Sequence, residues 1–292
     1  MEEHLPDFKS RFHEDLDRLD HLPSLPAVVT RLIEMLDDPL ASAMDVAYTL
    51  REDPPLTARV LRMANSPVYG GRFRIMSVPQ AVLRLGMLEI QKIVMSLGVI
   101  RSVLGQGRRL DYRAFWQHSL TVALASESLA EMLPAQDGQR EDSIFATGLL
   151  HDIGRFVLDQ FYPEEYDAAV ALMHAEHLPQ RTAERRLLGT DHAELGGLLA
   201  RHWRLPDPIV AGIWHHHDPE AALPSLRWNA LVVHVAEQTC VAHGLGDPLE
   251  GEPVAEPAAE WEALGLDPSR VKQVVSATII GARKSAVLLA IA

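Results

Sequence analysis

The chain has 292 residues, 47% of them apolar and 23% charged, which supplies a large core and excludes disorder. Its formal net charge is −13 and its basic residues are dispersed (Arg59, Arg62, Arg181, Arg185, Arg186), so the basic footprint of direct DNA or RNA binding is missing. A single cysteine, Cys240, an acidic opening (Met1-Glu2-Glu3-His4) and no apolar run of ~20 residues predict a cytoplasmic chain without membrane spans.

Taken in order, residues 1–18 form an N-terminal extension with no assigned element. Residues 19–105 predict a helical first lobe. Over 26–36, Val28, Leu32, Ile33 and Leu36 share one face, the spacing of a core-facing helix, and Asp37-Asp38-Pro39 ends it. Residues 42–51 carry Val46, Ala47 and Leu50. Asp53-Pro54 stops that helix and caps the next, over 55–64. Val68-Tyr69-Gly70-Gly71 reads as a loop, Val78-Pro79 opens a helix through Leu85, and 87–103 is a long apolar helix.

A second helical lobe is expected over 106–243, its helices starting after the Gly105-Gln106-Gly107-Arg108-Arg109 boundary. It begins with an amphipathic helix over 112–133 and a single helix over 142–156. Weaker helices follow over 166–174 and 182–188, then helices over 192–202, 208–216 and 227–243. Asp191-His192-Ala193-Glu194 reads as a capping box. Residues 244–260, rich in Pro, Gly and Glu, read as a linker, and one or two C-terminal helices complete 244–292. Strand alternation is absent. The expected fold class is all-α, a multi-helix bundle of two lobes.

Seven side chains of metal-ligand type stand out: His118, His151, Asp152, His192, His216, His217 and Glu237. The pair His151-Asp152 follows an apolar run ending in Leu149-Leu150. Burying either group alone would cost several kcal/mol, so they must be paired or metal-bound. Imidazole suits zinc, iron, nickel or copper, and an added carboxylate favours iron, manganese or zinc. Adjacent residues on a helix diverge by about 100°, so the run His215-His216-His217 reaches one centre best at a frayed helix end, which Asp218-Pro219 supplies. His234, one turn before Glu237, is placed to orient it. His174, His177, His202 and His243 lie among polar residues and read as surface histidines.

The order His118 … His151-Asp152 … His192 … His216-His217 … Glu237 resembles the two-metal members of the HD superfamily of metal-dependent phosphohydrolases. A closer resemblance is to its HDOD branch, the HD-related output domain of bacterial signalling proteins. The marks are Leu22-Pro23-Ser24-Leu25-Pro26, Asp53-Pro54-Pro55-Leu56-Thr57-Ala58-Arg59-Val60-Leu61, Ala64-Asn65-Ser66-Pro67-Val68-Tyr69, Ala81-Val82-Leu83-Arg84-Leu85-Gly86 and Phe115-Trp116-Gln117-His118-Ser119. They run from about Leu19 to about His243. The resemblance implies one metal on His118, the HD pair and Glu237, a second on His192, His216 and His217, and Asp152 bridging the two. His216 and His217, rather than His215, are chosen by that alignment.

Departures bear on catalysis. The c-di-GMP-cleaving HD-GYP branch has a lysine where Arg155 stands; arginine binds a phosphoryl group but cannot act as a base. Asp218-Pro219-Glu220-Ala221-Ala222 replaces the Gly-Tyr-Pro stretch, and Glu237 stands where the superfamily uses aspartate. The favoured reading is a signal-transduction output module with a retained metal centre of two divalent ions (iron, manganese or zinc). It would act through a protein partner in trans or a phosphorylated or nucleotide ligand. The alternative is a phosphohydrolase or phosphodiesterase with Asp152 and Arg155 as its catalytic residues. A di-iron oxygenase is a third, weaker reading.

Overall fold

The structure is a computed structural model that describes residues 8–18, 27–36, 40, 42–51, 53–69, 74–103, 109–133, 143–245 and 258–291. The motif at 22–26, the stop at 37–39, the pair Gly70-Gly71, residues 105–108 of the lobe boundary and most of the 244–260 linker lie outside them. The fold is all-α, with no strand among the described residues. No helix among them is long and apolar enough to cross a membrane.

Helices α2 (Ala27–Leu36), α3 (Ala43–Arg51), α4 (Pro54–Ala64), α5 (Val78–Leu85) and α6 (Met87–Val103) form the first part of the bundle. Caps set their starts: Asp53 accepts from the Leu56 N–H ahead of α4, and Ser77 from the Gln80 N–H ahead of α5, each with proline in the first turn. Between them the Asn65-Ser66-Pro67-Val68-Tyr69 motif forms a clasp. The Asn65 amide donates to the carbonyls of Leu61 (2.8 Å) and Ile75 (2.9 Å) and accepts from the Ile75 N–H (2.8 Å), while Tyr69 donates to Glu89 on α6.

The 112–133 prediction becomes α7 (Tyr112–Met132), capped by Asp111. The single helix expected over 142–156 is two, α8 (Ile144–Leu150) and α9 (Ile153–Phe161), broken at His151-Asp152. A straight helix would send these adjacent side chains apart, so the break brings both to one side. Then come α10 (Pro163–Glu176), α11 (Gln180–Leu188), α12 (His192–His202), α13 (Asp207–His215) and α14 (Arg227–Ala242). Of the capping box, Asp191 does accept from the Glu194 N–H, but Glu194 turns to Lys9 (2.5 Å) and Thr190 (2.6 Å) instead of back to its own helix.

Two elements were not anticipated. Residues 1–18 contain a helix, α1 (Phe8–Arg18), that docks far along the chain: Phe8 and Phe12 pack on Tyr162, Tyr162 donates to Asp15, and Arg11 pairs with Glu165. The expected linker includes part of α15 (Ala258–Ala263), followed by one helix, α16 (Pro268–Ile291).

One apolar cluster runs continuously from Phe12 on α1 to Ile213 on α13. A second joins Val122 and Leu129 of α7 to Val232 and Val235 of α14, Trp261 of α15 and Val274 of α16. α7 therefore lies between two cores, and its buried positions go nearly all the way round.

Candidate metal centre

Five structural positions converge. His118 comes from the middle of α7, His151 and Asp152 from the break between α8 and α9, and His192 from the first turn of α12. His216 and His217 follow the last turn of α13, and Glu237 lies on α14. Glycines permit the approach. A Cβ on Gly148 would lie 2.7 Å from the Ala123 backbone of α7, and one on Gly154 would lie 1.9 Å from the His192 carbonyl oxygen.

Asp152 is the hub, and its two carboxylate oxygens face different partners. Oδ2 faces His151 Nε2 at 3.6 Å and His118 Nε2 at 3.8 Å. Oδ1 faces His192 Nε2 at 3.4 Å and His216 Nε2 at 3.7 Å. Glu237 Oε1 stands 4.0 Å from His151 Nε2. Three overlapping sets have donor atoms within 4.8 Å of one another: His118, His151 and Asp152; His192, His216 and His217; and Asp152, His216 and Glu237.

The tautomers follow from chemistry. His151 Nδ1 lies 2.7 Å from the Gly148 carbonyl and His216 Nδ1 lies 2.7 Å from the Ile213 carbonyl. A carbonyl only accepts, so Nδ1 carries the proton in both rings, and in the neutral form Nε2 points a lone pair at Asp152. Most of the contacts around Asp152 are too long for hydrogen bonds. Asp152 Oδ1 and His216 Nε2 are buried and make none. Lone pairs gathered around a carboxylate in this way fit a divalent cation of the zinc, iron or manganese class.

Burial pushes the Asp152 carboxyl up, but His151, Arg155, His192 and His118 together hold it well below the ordinary carboxylate range. Burial and then neighbouring imidazoles push His216 and His217 well below the usual histidine value. His192 goes the other way: burial lowers it, yet the Glu184 carboxylate, with Asp152 and Asp191 behind it, pushes it up to about 9. His192 and His217 are in contact through their Nε2 atoms at 2.8 Å.

The sequence profile of the HDOD domain matches residues 22–219. The chain belongs to the HDOD family. It is similar to an HDOD domain protein of unknown function from Geobacter sulfurreducens, 28% identical, with a TM-score of 0.75 over 98% of this chain and 97% of that one. It shares its fold with a Marinobacter aquaeolei VT8 protein classed with signal transduction: 24% identity, TM-score 0.78, 97% of this chain and 65% of that one. The same holds for a Shewanella amazonensis SB2B protein classed as a phosphohydrolase: 23% identity, TM-score 0.67, 94% of this chain and 97% of that one. An uncharacterised protein of Treponema pallidum (strain Nichols) is 26% identical over 205 residues; these are 69% of this chain but 39% of that relative, so the HDOD chain spans about two fifths of its length.

Some features of this HDOD centre are not visible in the sequence reading. Glu184 on α11 is fully buried, accepts from the His192 backbone N–H (2.9 Å) and from His192 Nδ1 (2.7 Å), and is itself held by Gln180. A carboxylate on the outer nitrogen of a ligand imidazole fixes its orientation. Its only sequence signal is the i, i+4 pair Gln180 and Glu184 on a helix with few apolar positions. Asp191 is gripped by Arg181 and Arg185, 2.7 Å each. His234 was expected to orient Glu237; it donates instead to the His216 carbonyl (2.6 Å) and accepts from Gln238, so it braces the turn carrying His216 and His217. His215 stacks on Trp214 and belongs to none of the three donor sets among the described residues. His174, His177 and His243 are exposed, and His202 is half-buried.

A pocket of about 330 Å³ opens onto the cluster. Arg155, His192, His217 and Glu237 border it on the side of the centre, and Gln180, Arg181, Thr182, His234 and Gln238 line its walls. Arg155 is nearly fully buried and donates to Asp152 Oδ2 at 2.8 Å.

Proposed function

We propose that this HDOD chain is a signal-transduction module with two divalent ions at its His/Asp centre, sharing Asp152, and that it binds a phosphorylated ligand in the pocket above them. The single observation that carries the reading is the division of Asp152: one oxygen toward His118 and His151, the other toward His192 and His216. Glu237 would complete the first half and His217 the second. Arg155 and Arg181 give the pocket guanidinium groups suited to phosphate oxygens. A protein partner in trans is the expected output. α3 and α5 pack together and leave Met44, Tyr48 and Leu83 exposed, apolar groups of the kind a partner covers.

A second reading, hydrolysis of the bound phosphate ester, is favoured by the same open access from pocket to cluster. Metal ions in such a centre polarise a phosphoryl oxygen and acidify water. The residues of this chain would orient the ester through Arg155, with Glu184 holding His192 and Asp152 charged throughout. Arg155 cannot take up a proton, so it serves as a clamp.

Metal analysis of protein purified without added metal tests the first reading. Stoichiometric iron, manganese or zinc is expected, and its absence across several growth and buffer conditions would remove the metal centre. Assay against phosphomonoesters and phosphodiesters separates module from hydrolase. For c-di-GMP the expected turnover is negligible; a rate near the ordinary enzyme range of roughly 1 per second or above would show that Arg155 suffices without the lysine and the Gly-Tyr-Pro stretch.

A further inference from the structure

Arg155 touches both the centre and the pocket. Its side chain is only 1% exposed, yet it borders the cavity beside His192, His217 and Glu237. Nη1 donates to Asp152 Oδ2, the oxygen that also faces His118 and His151. Oδ1, which faces His192 and His216, accepts no hydrogen bond. The two oxygens of one carboxylate are therefore unequal: a guanidinium is hydrogen-bonded to Oδ2, whereas only imidazoles, none of them within hydrogen-bond geometry, face Oδ1.

A guanidinium does not lose its proton at ordinary pH, so it yields Oδ2 only by moving. A divalent ion placed between Oδ2 and the His118 and His151 rings would share that oxygen with it. Like charges a few ångströms apart in a poorly solvated site repel strongly. An ion between Oδ1 and the His192, His216 and His217 rings lies on the side that the guanidinium does not occupy. The pocket offers Arg155 another partner, because an anion bound there lies beside the same guanidinium.

We propose that Arg155 makes metal loading sequential: the His192–His216–His217 half takes an ion first, and the His118–His151 half fills when Arg155 exchanges Asp152 for an anion in the pocket. This deepens the metal-centre reading and rests on it. The coupling is reciprocal, so the anion tightens the second ion and the second ion tightens the anion. Arg155 is thus a positioning residue that sets the occupancy of the centre.

The test is calorimetric titration of the metal-stripped full chain with Mn²⁺, with and without inorganic phosphate, for wild type, Arg155→Met and Arg155→Lys. Wild type should bind one ion tightly and a second at least about tenfold more weakly, with phosphate narrowing the gap. Arg155→Met should bind two ions of similar affinity without phosphate and lose the response to phosphate. Arg155→Lys, which keeps the charge, should restore the gap. Two equal ions in wild type without phosphate, or an unchanged gap in a folded Arg155→Met, would overturn the proposal. If Arg155→Met fails to fold by circular dichroism, a wild-type gap that phosphate leaves unmoved overturns it by itself. Failure of wild type to bind any Mn²⁺, Fe²⁺ or Zn²⁺ would remove the metal centre and this proposal together, whereas two equal ions would remove the proposal alone.

Discussion

Between α2 and α6 the buried polar side chains among the described residues are uncharged: Thr49, Ser66, Gln91 and Ser96. From α7 to α14 the interior holds His118, His151, Asp152, Arg155, Asp159, Glu184, Asp191, His192, His216 and Glu237. One region is held by apolar packing; the other buries charge that must be paired at every step. Both draw on one continuous apolar cluster. The difference shows where stability and chemistry can be separated by mutation.

The sharpest break should come from Asp152→Ala. It leaves Arg155 and the imidazoles buried without their shared carboxylate, at a cost of about 3–5 kcal/mol. Metal content should fall toward zero, whereas His118→Ala should remove mainly one ion. Denaturant unfolding with elemental analysis reads both, and an Asp152 variant with native stability and full metal would refute the hub assignment.

On the apolar side, Leu56→Ala removes a side chain that is 1% exposed and should cost about 2–5 kcal/mol. Its metal stoichiometry should stay unchanged, measured well below the new melting temperature. Loss of metal in a folded Leu56 variant would mean that the two regions are coupled more tightly than the packing implies.

Gly154→Ala joins the two effects. The added methyl would meet the His192 carbonyl and the Gly196 backbone of α12, neither of which can give way as a side chain can. A loss of about 1–3 kcal/mol is expected, with weaker metal binding because His192 is displaced relative to Asp152. Unchanged metal affinity would show that the approach of α9 to α12 does not set the centre.

The smallest effect is expected at Asp159 on α9, which holds the segment leading into α7. Its carboxylate accepts from the Arg109 and Leu110 N–H groups and from the Tyr112 hydroxyl. Burial pushes its pKa up, but these donors hold it below the ordinary value. A lowered folded-state pKa stabilises fully above the unfolded value near 3.9 and is lost as pH falls through the folded value. Asp159→Asn should therefore cost about 1 kcal/mol at neutral pH. The gap to wild type should close below about pH 4 in urea melts; a gap independent of pH would remove the charge from the explanation.

Much of this was legible beforehand. The periodicity of Val28, Leu32 and Ile33, the caps Asp53 and Asp191, and the proline starts mark helices by local rules. The pair His151-Asp152 could be picked out because ionisable groups beside an apolar run require partners, and the full set of seven was assembled through the resemblance to the HD superfamily. Helix α1 was missed because only Phe8, Phe12 and Leu16 are apolar among its eleven residues, and their i, i+4, i+8 spacing was not read as a helix. The break at His151-Asp152 was missed because no Pro or Gly stands at the pair itself. Glu184 was missed because nothing local distinguishes a buried carboxylate from the exposed ones around it.

By itself, then, the sequence determined the helical class, most of the helices and the chemical types at the centre, since these follow from periodicity, capping and desolvation within a few residues of each position. Tertiary structure alone decided which Asp152 oxygen meets which imidazole, that Arg155 shares one of them, and that Glu184 orients His192. Those relations join side chains from different helices, brought within a few ångströms by close contacts at Gly148 and Gly154, glycines that mark a close approach in the sequence but whose partners no local pattern names.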